Sequence, residues 1–194
     1  MRHEIYAPRE DSFLLLRVLS NEVPKLLGQN PDLKVLEMGS GSGIQLETMK
    51  KLGVKKENIF AADVNKEAVN HCNNLGFNCV ESNLFEAFKG KGIVGGSSNA
   101  GGTHKFDLII FNPPYLPRDI REPETSQLIT TGGKKGNEVI NKFIKQSKEH
   151  LNGNGRIFLL VSSHTPKINF GDYKKKLLDS EKFFFEELFV WELK

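Results

Sequence analysis

Apolar and polar positions along this chain follow two rhythms, one helical and one of short buried runs. Phe13, Leu14, Leu15, Leu16, Val18 and Leu19 recur at helical spacing directly behind Asp11 and Ser12. That predicts a helix capped by one of those two residues and running to about Leu27. Residues 34–38 form a brief apolar run ending in glycines, the signature of a buried parallel strand. Helical patterns at 44–52 and 66–75 close on Gly53 and Gly76. Further strands are predicted at 58–64, 77–81, 106–111 and 155–163, with a helix at 139–151. The aromatic-rich stretch 183–191 reads as a strand, and 173–178 fits either a short helix or the first arm of a hairpin. Residues 89–105 contain GKGIVGGSSNAGG and read as a surface excursion. They lack the Gly-Lys-Ser or Gly-Lys-Thr ending that a phosphate loop needs.

Strands alternating with helices predict an α/β fold: a mostly parallel sheet with helices on both faces, in one domain over 1–194. In such sheets ligands bind beyond the carboxyl ends of the strands. The segments 37–43, 63, 82–84 and 112–115 each follow a strand, so they converge on one rim. Composition narrows the partners. With 38% hydrophobic and 26% charged residues, the 194-residue chain reads as an ordinary globular protein. A net charge of +3 is too small to argue for nucleic acid, and the Lys134-Lys135 and Lys174-Lys175-Lys176 runs read as solvated faces. Cys72 and Cys79 read as reduced, half-buried thiols, and no cluster with metal-ligand spacing stands out. The longest apolar runs are too short to span a bilayer and no signal core follows Met1, so the expected compartment is the cytoplasm.

The first strand ends in Glu37-Met38-Gly39-Ser40-Gly41-Ser42-Gly43. Glycines let the backbone turn sharply and approach a ligand closely. Asp63 ends the second strand, 20 residues past Gly43, where a carboxylate can accept bonds from ribose hydroxyls; its alternative reading is a cap for the helix starting near Lys66. A dinucleotide turn reads GxGxxG, whereas here the spacing is GxGxG behind an acid. A carboxylate is awkward beside a pyrophosphate but suits a cofactor carrying an ammonium and a sulfonium, which favours S-adenosylmethionine over NAD.

The fourth predicted strand stops at Asn112-Pro113-Pro114-Tyr115. Two prolines stiffen the chain and hold the Asn112 side-chain oxygen and the Pro113 carbonyl in place. Both can accept from one NH2 group, while Tyr115 offers an aromatic face to the same planar group. An amide or exocyclic amine is a poor nucleophile because its lone pair is delocalised. Two acceptors gripping its hydrogens orient the nitrogen and stabilise the positive charge that develops on it. This chemistry suits a glutamine amide or an adenine N6 amine. An adenine enzyme would be expected to carry a target-recognition domain or a basic groove, and a lysine enzyme a base to deprotonate the ammonium. A binding module without catalysis would have no use for Asn112 to Tyr115.

At these residues the chain resembles the HemK-type glutamine methyltransferases, class I Rossmann-like enzymes with a seven-stranded type of sheet, and most closely their short archaeal and eukaryotic branch. Tyr6-Ala7-Pro8-Arg9-Glu10-Asp11-Ser12-Phe13-Leu14-Leu15 is similar to that branch's N-terminal motif, and residues 132–140 to its segment after the catalytic loop. The resemblance runs from Tyr6 to about Leu160. It implies that Ser12 stands near the cofactor, that Glu37, Gly39 and Gly41 line its methionine half, that Asp63 holds its ribose, and that Asn83 and Leu84 hold its adenine. With Ser40, Gly43, Val64 and Asn112 these complete the candidate cofactor set. Asn112, Pro113, Pro114 and Tyr115 form the candidate catalytic set, with no metal ligand. The implied substrate is the glutamine of a Gly-Gly-Gln loop in a translation release factor. The implied partner is a small zinc-binding activator subunit pairing at the edge formed by the third strand, residues 77–81. The chain departs from the family in having Asn83 where Asp is common, Ile129-Thr130-Thr131 where a tryptophan is common, the Gly/Ser-rich insertion, and a shortened C-terminal region.

Overall fold

The computed structural model describes residues 5–90, 103–117 and 130–194. The bulk of the Gly/Ser-rich insertion, 91–102, and Ile129 lie outside the described residues. Seven strands form one sheet in the order β3-β2-β1-β4-β5-β7-β6. They are β1 (Val35–Met38), β2 (Ile59–Asp63), β3 (Asn78–Glu81), β4 (Phe106–Phe111), β5 (Leu151–Ser162), β6 (Lys175–Lys182) and β7 (Glu187–Leu193). The pairs from β3 through β5 are parallel, and β7 runs antiparallel to both β5 and β6. The helices are α1 (Glu10–Gln29), α2 (Ile44–Lys51), α3 (Lys66–Asn74) and α4 (Glu138–Ser147). The expected α/β architecture is therefore present, with β3 as one terminal strand.

Strand side chains alternate between two cores, because successive residues point to opposite faces. Val35, Ile59, Leu108 and Ile110 pack with Leu14, Leu15, Leu46 and Val69 from α1, α2 and α3. Leu36, Met38, Ile109 and Phe111 pack with Ile140, Phe143 and Ile144 of α4 and with Phe85 and Phe88. This alternation puts Glu37 on the face covered by α1 to α3, a placement that matters for the site.

Several boundaries differ from the predicted ones. Asp11 and Ser12 are not caps: α1 begins at Glu10 behind Arg9, and both residues are buried inside its first turn. The Asp11 Oδ1 atom accepts from the Ser12 N–H at 2.6 Å, so this carboxylate serves a free amide of the first turn from within the helix. Asp63 does not cap α3 either; Asn65 does, accepting from the Glu67 N–H. α4 ends at Ser147 and β5 begins at Leu151, four residues earlier than predicted, because a register shift against β4 accommodates Asn152 to Gly155. Residues 175–182 form β6, the hairpin reading, so no helix occupies 173–178. The second hairpin arm starts at Glu187, and Phe183 to Glu186 form the turn, with Phe184 and Phe185 98% and 87% exposed. Cys72 and Cys79 are buried rather than half-buried.

Candidate active site

One cavity of about 1040 Å³ opens at the carboxyl ends of β1, β2 and β4. It lies at the upper end of the range for small-molecule sites, roughly 300–1,000 Å³, and leaves room for more than one ligand group. Its wall carries Ser12, Gly39, Ser40, Gly41, Asp63, Val64, Asn83, Leu84, Asn112, Pro113, Pro114 and Tyr115. Residues distant in the chain thus converge as expected from the strand ends. Glu37 and Gly43 are the two expected residues that stand off the wall.

The glycine turn is built for close approach. Gly39 and Gly41 have φ of 70° and 47°, which a side chain would strain. The Gly39 N–H donates to the Ala62 carbonyl at 2.7 Å, and a Cβ on Gly39 would sit 3.5 Å from the Phe111 ring and 3.9 Å from the Asn112 carbonyl oxygen. The turn after β1 therefore lies next to the end of β4 and the Asn-Pro-Pro turn that follows it. Gly43 has a different task. At φ 76° it opens α2, and a Cβ there would meet Cys72 Sγ at 3.2 Å and Leu75 Cδ1 at 3.3 Å, so it permits the packing of α2 on α3.

Asp63 ties two loops together. Its Oδ2 accepts from the Gly41 N–H at 2.9 Å and its Oδ1 from the Asn65 N–H at 2.8 Å. The Val64 N–H adds a third backbone bond, which leaves the carboxylate about one acceptor position for a ligand hydroxyl. Burial pushes its carboxyl above the usual range, against these backbone bonds, which favour the charged form. On the neighbouring wall, Ser82 Oγ donates to the Leu84 carbonyl at 2.7 Å, which holds Leu84 at φ 55°, the only positive φ outside glycine among the described residues. That turn exposes Asn83 to the cavity.

Glu37 sits beneath the glycine turn, 3% exposed. Its carboxylate takes the Leu46 N–H of the first turn of α2, while its Oε2 is buried without a partner. Burial, then the neighbouring Cys72 and Asp63, push its pKa well above the usual carboxylate value. For an acid whose folded pKa is raised, the associated stability is complete below the unfolded pKa. It is lost as pH rises through the folded one. Glu37→Gln is therefore expected to melt with the parent below about pH 4, under the ordinary glutamate pKa of about 4.3. Near pH 8 it should be more stable by about 1–2 kcal/mol, the cost of an unsatisfied buried group, which for a chain of this size is roughly 2–8 °C. Thermal unfolding across this pH series checks it; parallel profiles for the two proteins would refute the assignment.

The β4 turn is braced from behind. Leu116 N–H donates to the Thr130 carbonyl at 3.0 Å and Gly132 N–H to the Leu116 carbonyl at 2.9 Å. A Cβ on Gly132 would lie 2.5 Å from the Pro114 carbonyl, and one on Gly136 2.7 Å from that of Tyr115. These glycines let the 132–136 segment lie directly on the Pro-Pro-Tyr backbone. At the front, Asn112 Nδ2 donates to Asp11 Oδ2 at 3.0 Å, and Asn112 Oδ1 is buried with no partner. Burial, with Asp11 as the next contributor, raises the pKa of both Tyr6 and Tyr115, so both phenols stay protonated.

The sequence reading left several wall residues without a role. Tyr6, Arg9, Glu10 and Asp11 come from the segment before and within the first turn of α1, and Phe183, Glu186 and Leu188 from the β6–β7 hairpin. Tyr6 and Asp11 stood in the recognised N-terminal motif, and that signal was available. Nothing in the pattern at 183–188 marks it as part of a site. Among the described residues the wall carries four carboxylates, Glu10, Asp11, Asp63 and Glu186, against one guanidinium, Arg9. Such a wall favours cationic groups and repels phosphates.

Comparison with known proteins agrees with this geometry. The family model "Methyltransferase small domain" matches residues 11–179. A Methanocaldococcus jannaschii protein assigned by name to the protein N5-glutamine methyltransferases is 36% identical over 170 residues, covering 84% of this chain and 74% of that protein. The eRF1 methyltransferase catalytic subunit of Schizosaccharomyces pombe is 29% identical over 177 residues, covering 86% of this chain and 75% of its own. Among solved structures, the E. cuniculi Mtq2–Trm112 complex, which methylates the eRF1 termination factor, aligns with a TM-score of 0.68 over 97% of both chains at 24% identity, a likeness of fold. The chain therefore belongs to the methyltransferase small-domain family, and within it to the HemK-type protein N5-glutamine methyltransferases.

Proposed function

We propose that this chain transfers a methyl group from S-adenosylmethionine to the side-chain amide nitrogen of a glutamine, in the Gly-Gly-Gln loop of a translation release factor. The observation that carries this reading is the buried, unpartnered Asn112 Oδ1, in a residue that lines the cavity beside the glycine turn. An acceptor left free there is complementary to an NH2 group.

The residues present fit the cofactor. Gly39 and Gly41 hold positive φ and keep the turn on the wall free of side chains, Asp63 offers a carboxylate acceptor for a ribose hydroxyl, and Val64, Asn83 and Leu84 form the adjoining wall for the adenine. Ser12 and Ser40 complete the wall near the methionine half, and Glu37 acts on its cationic end from beneath the turn, through space. When bound, the cofactor supplies an electrophilic methyl carbon on a sulfonium. Asn112 Oδ1 and the Pro113 carbonyl each accept one hydrogen of the target amide, which holds its nitrogen in line. As the bond forms, both oxygens and the acidic wall stabilise the positive charge growing on nitrogen. Pro114 keeps the turn stiff, and Tyr115, a neutral phenol, covers the plane of the amide. The amide cation is strongly acidic and passes its extra proton to water, so the chain needs no base.

The acidic wall disfavours a nucleic acid substrate, whose binding rests on neutralising phosphates. Among the described residues no helix is long and apolar enough to cross a membrane, in keeping with action in the cytoplasm on a component of translation. A small zinc-binding activator subunit pairs along β3, a terminal strand whose backbone groups can extend the sheet. Incubating purified protein, with and without that subunit, with labelled S-adenosylmethionine and release factor tests the proposal by peptide mass spectrometry. One methyl on the Gly-Gly-Gln glutamine is expected. Label on DNA, RNA or lysine instead, or none on the glutamine with the subunit present, would overturn it.

A further inference from the structure

Asn112 faces a problem that its side chain cannot solve alone. A primary amide has an acceptor edge and a donor edge, nearly identical in shape, and a half-turn of the terminal torsion exchanges them. Only the acceptor edge can take hydrogens from a target NH2 group. With the edges exchanged, two NH2 groups would confront each other and the site would select for a carbonyl.

The surroundings remove that freedom. Asp11 Oδ2 lies 3.0 Å from Asn112 Nδ2, and Asp11 is only 5% exposed. Both Asp11 oxygens act as acceptors, so the amide turns its NH2 toward Asp11 and its oxygen away. That oxygen is the buried Oδ1 with no partner. Asp11 is itself held in place. Its Oδ2 also accepts from the Tyr6 hydroxyl at 2.9 Å, and its Oδ1 accepts from the Ser12 N–H at 2.6 Å and from the Ser12 hydroxyl at 3.3 Å. Two donors therefore meet on Oδ2, one from the segment before α1 and one from the turn after β4. This is a charge-assisted chain in a desolvated setting, where such bonds are strong and polarise one another.

We infer that Asp11 is a positioning residue that locks Asn112 with its oxygen presented to the target, so that the site accepts NH2-bearing groups. The inference rests on the proposed amide methylation and deepens it. It adds a specificity determinant 101 positions away from the residue on which it acts. Tyr6 supports it by orienting the carboxylate.

Two measurements test this, and only one of them needs turnover. In 15N-labelled protein the Asn112 side-chain NH2 signals, identified by their loss in Asn112→Ala, are expected to exchange slowly with solvent. In Asp11→Asn, which offers either edge of a second amide, they should exchange about tenfold faster, the difference between a charge-assisted and a neutral bond. With a Gly-Gly-Gln-containing release factor as substrate, Asp11→Asn should lower kcat about tenfold or more and leave the KM for S-adenosylmethionine within about threefold. In the Asn112→Ala background the same change should cost less than about twofold, because the two residues act as one unit. Asp11→Ala supplies the same comparisons if the amide variant does not fold. Unchanged exchange in the variant, or a loss that adds fully to that of Asn112→Ala, would overturn the inference. A parent protein that is inactive on release factor but shows the protected, Asp11-dependent NH2 would instead remove the functional reading and leave the positioning intact.

Discussion

Asn112→Ala is expected to cut kcat for glutamine methylation by about a hundredfold or more, the usual cost of one oriented polar group acting on developing charge. The cofactor should still bind with close to parental affinity. The alanine removes the free Oδ1 and its anchor on Asp11 while leaving the backbone of Asn112 and of the glycine turn unchanged. The Pro113 carbonyl remains, so turnover falls without vanishing. Steady-state kinetics with release factor at saturating cofactor, paired with calorimetric titration of the cofactor, separates the two quantities. Parental kcat in this variant would mean that the nitrogen is gripped elsewhere. A loss of cofactor binding equal to the loss of turnover would mean that Asn112 serves the cofactor and not the target.

Asp63→Ala should show the opposite split. On its proposed role, removing it deletes the acceptor for the ribose hydroxyls, each charge-assisted bond contributing about 1.5–3 kcal/mol. It also frees the Gly41 and Asn65 N–H groups that the carboxylate now holds. The cofactor's dissociation constant should rise about a hundredfold or more, while kcat at saturating cofactor stays within several-fold. Asp63→Asn should fall between: its amide can satisfy one backbone N–H with its oxygen but turns a donor toward the other. Titration of each variant, with kcat taken at the highest usable cofactor concentration, tests this. Equal falls in kcat and affinity for Asp63→Ala would show that the loop it ties also orients the target.

The sheet and its rim were legible because their signals are local. Short apolar runs ending in glycine mark buried parallel strands, and all four predicted strand ends reach the same cavity. The errors fell where tertiary packing overrides a local preference. Asp11 and Ser12 have the chemistry of caps, but Asp11 serves Tyr6 and Asn112 from inside the helix. Phe183, Phe184 and Phe185 look like strand residues, yet the chain turns there, with Phe183 on the cavity wall and its two neighbours in solvent. Glu37 is a related case. Period-two alternation sends its side chain to the helical face beneath the glycine turn, although its place beside the glycines suggested the wall itself.

Residue identity by itself determined the α/β class, the glycine turn, the stiff Asn-Pro-Pro-Tyr stop and the family, since each depends on short-range backbone limits or on a contiguous motif. Tertiary structure alone decided which edge of the Asn112 amide meets Asp11, which acids line the cavity, and that a hairpin from the far end of the chain closes one side. Those features depend on contacts between segments 101 to 164 residues apart. A carboxylate's partner is set by where the chain brings a donor, and side-chain chemistry carries no record of that meeting.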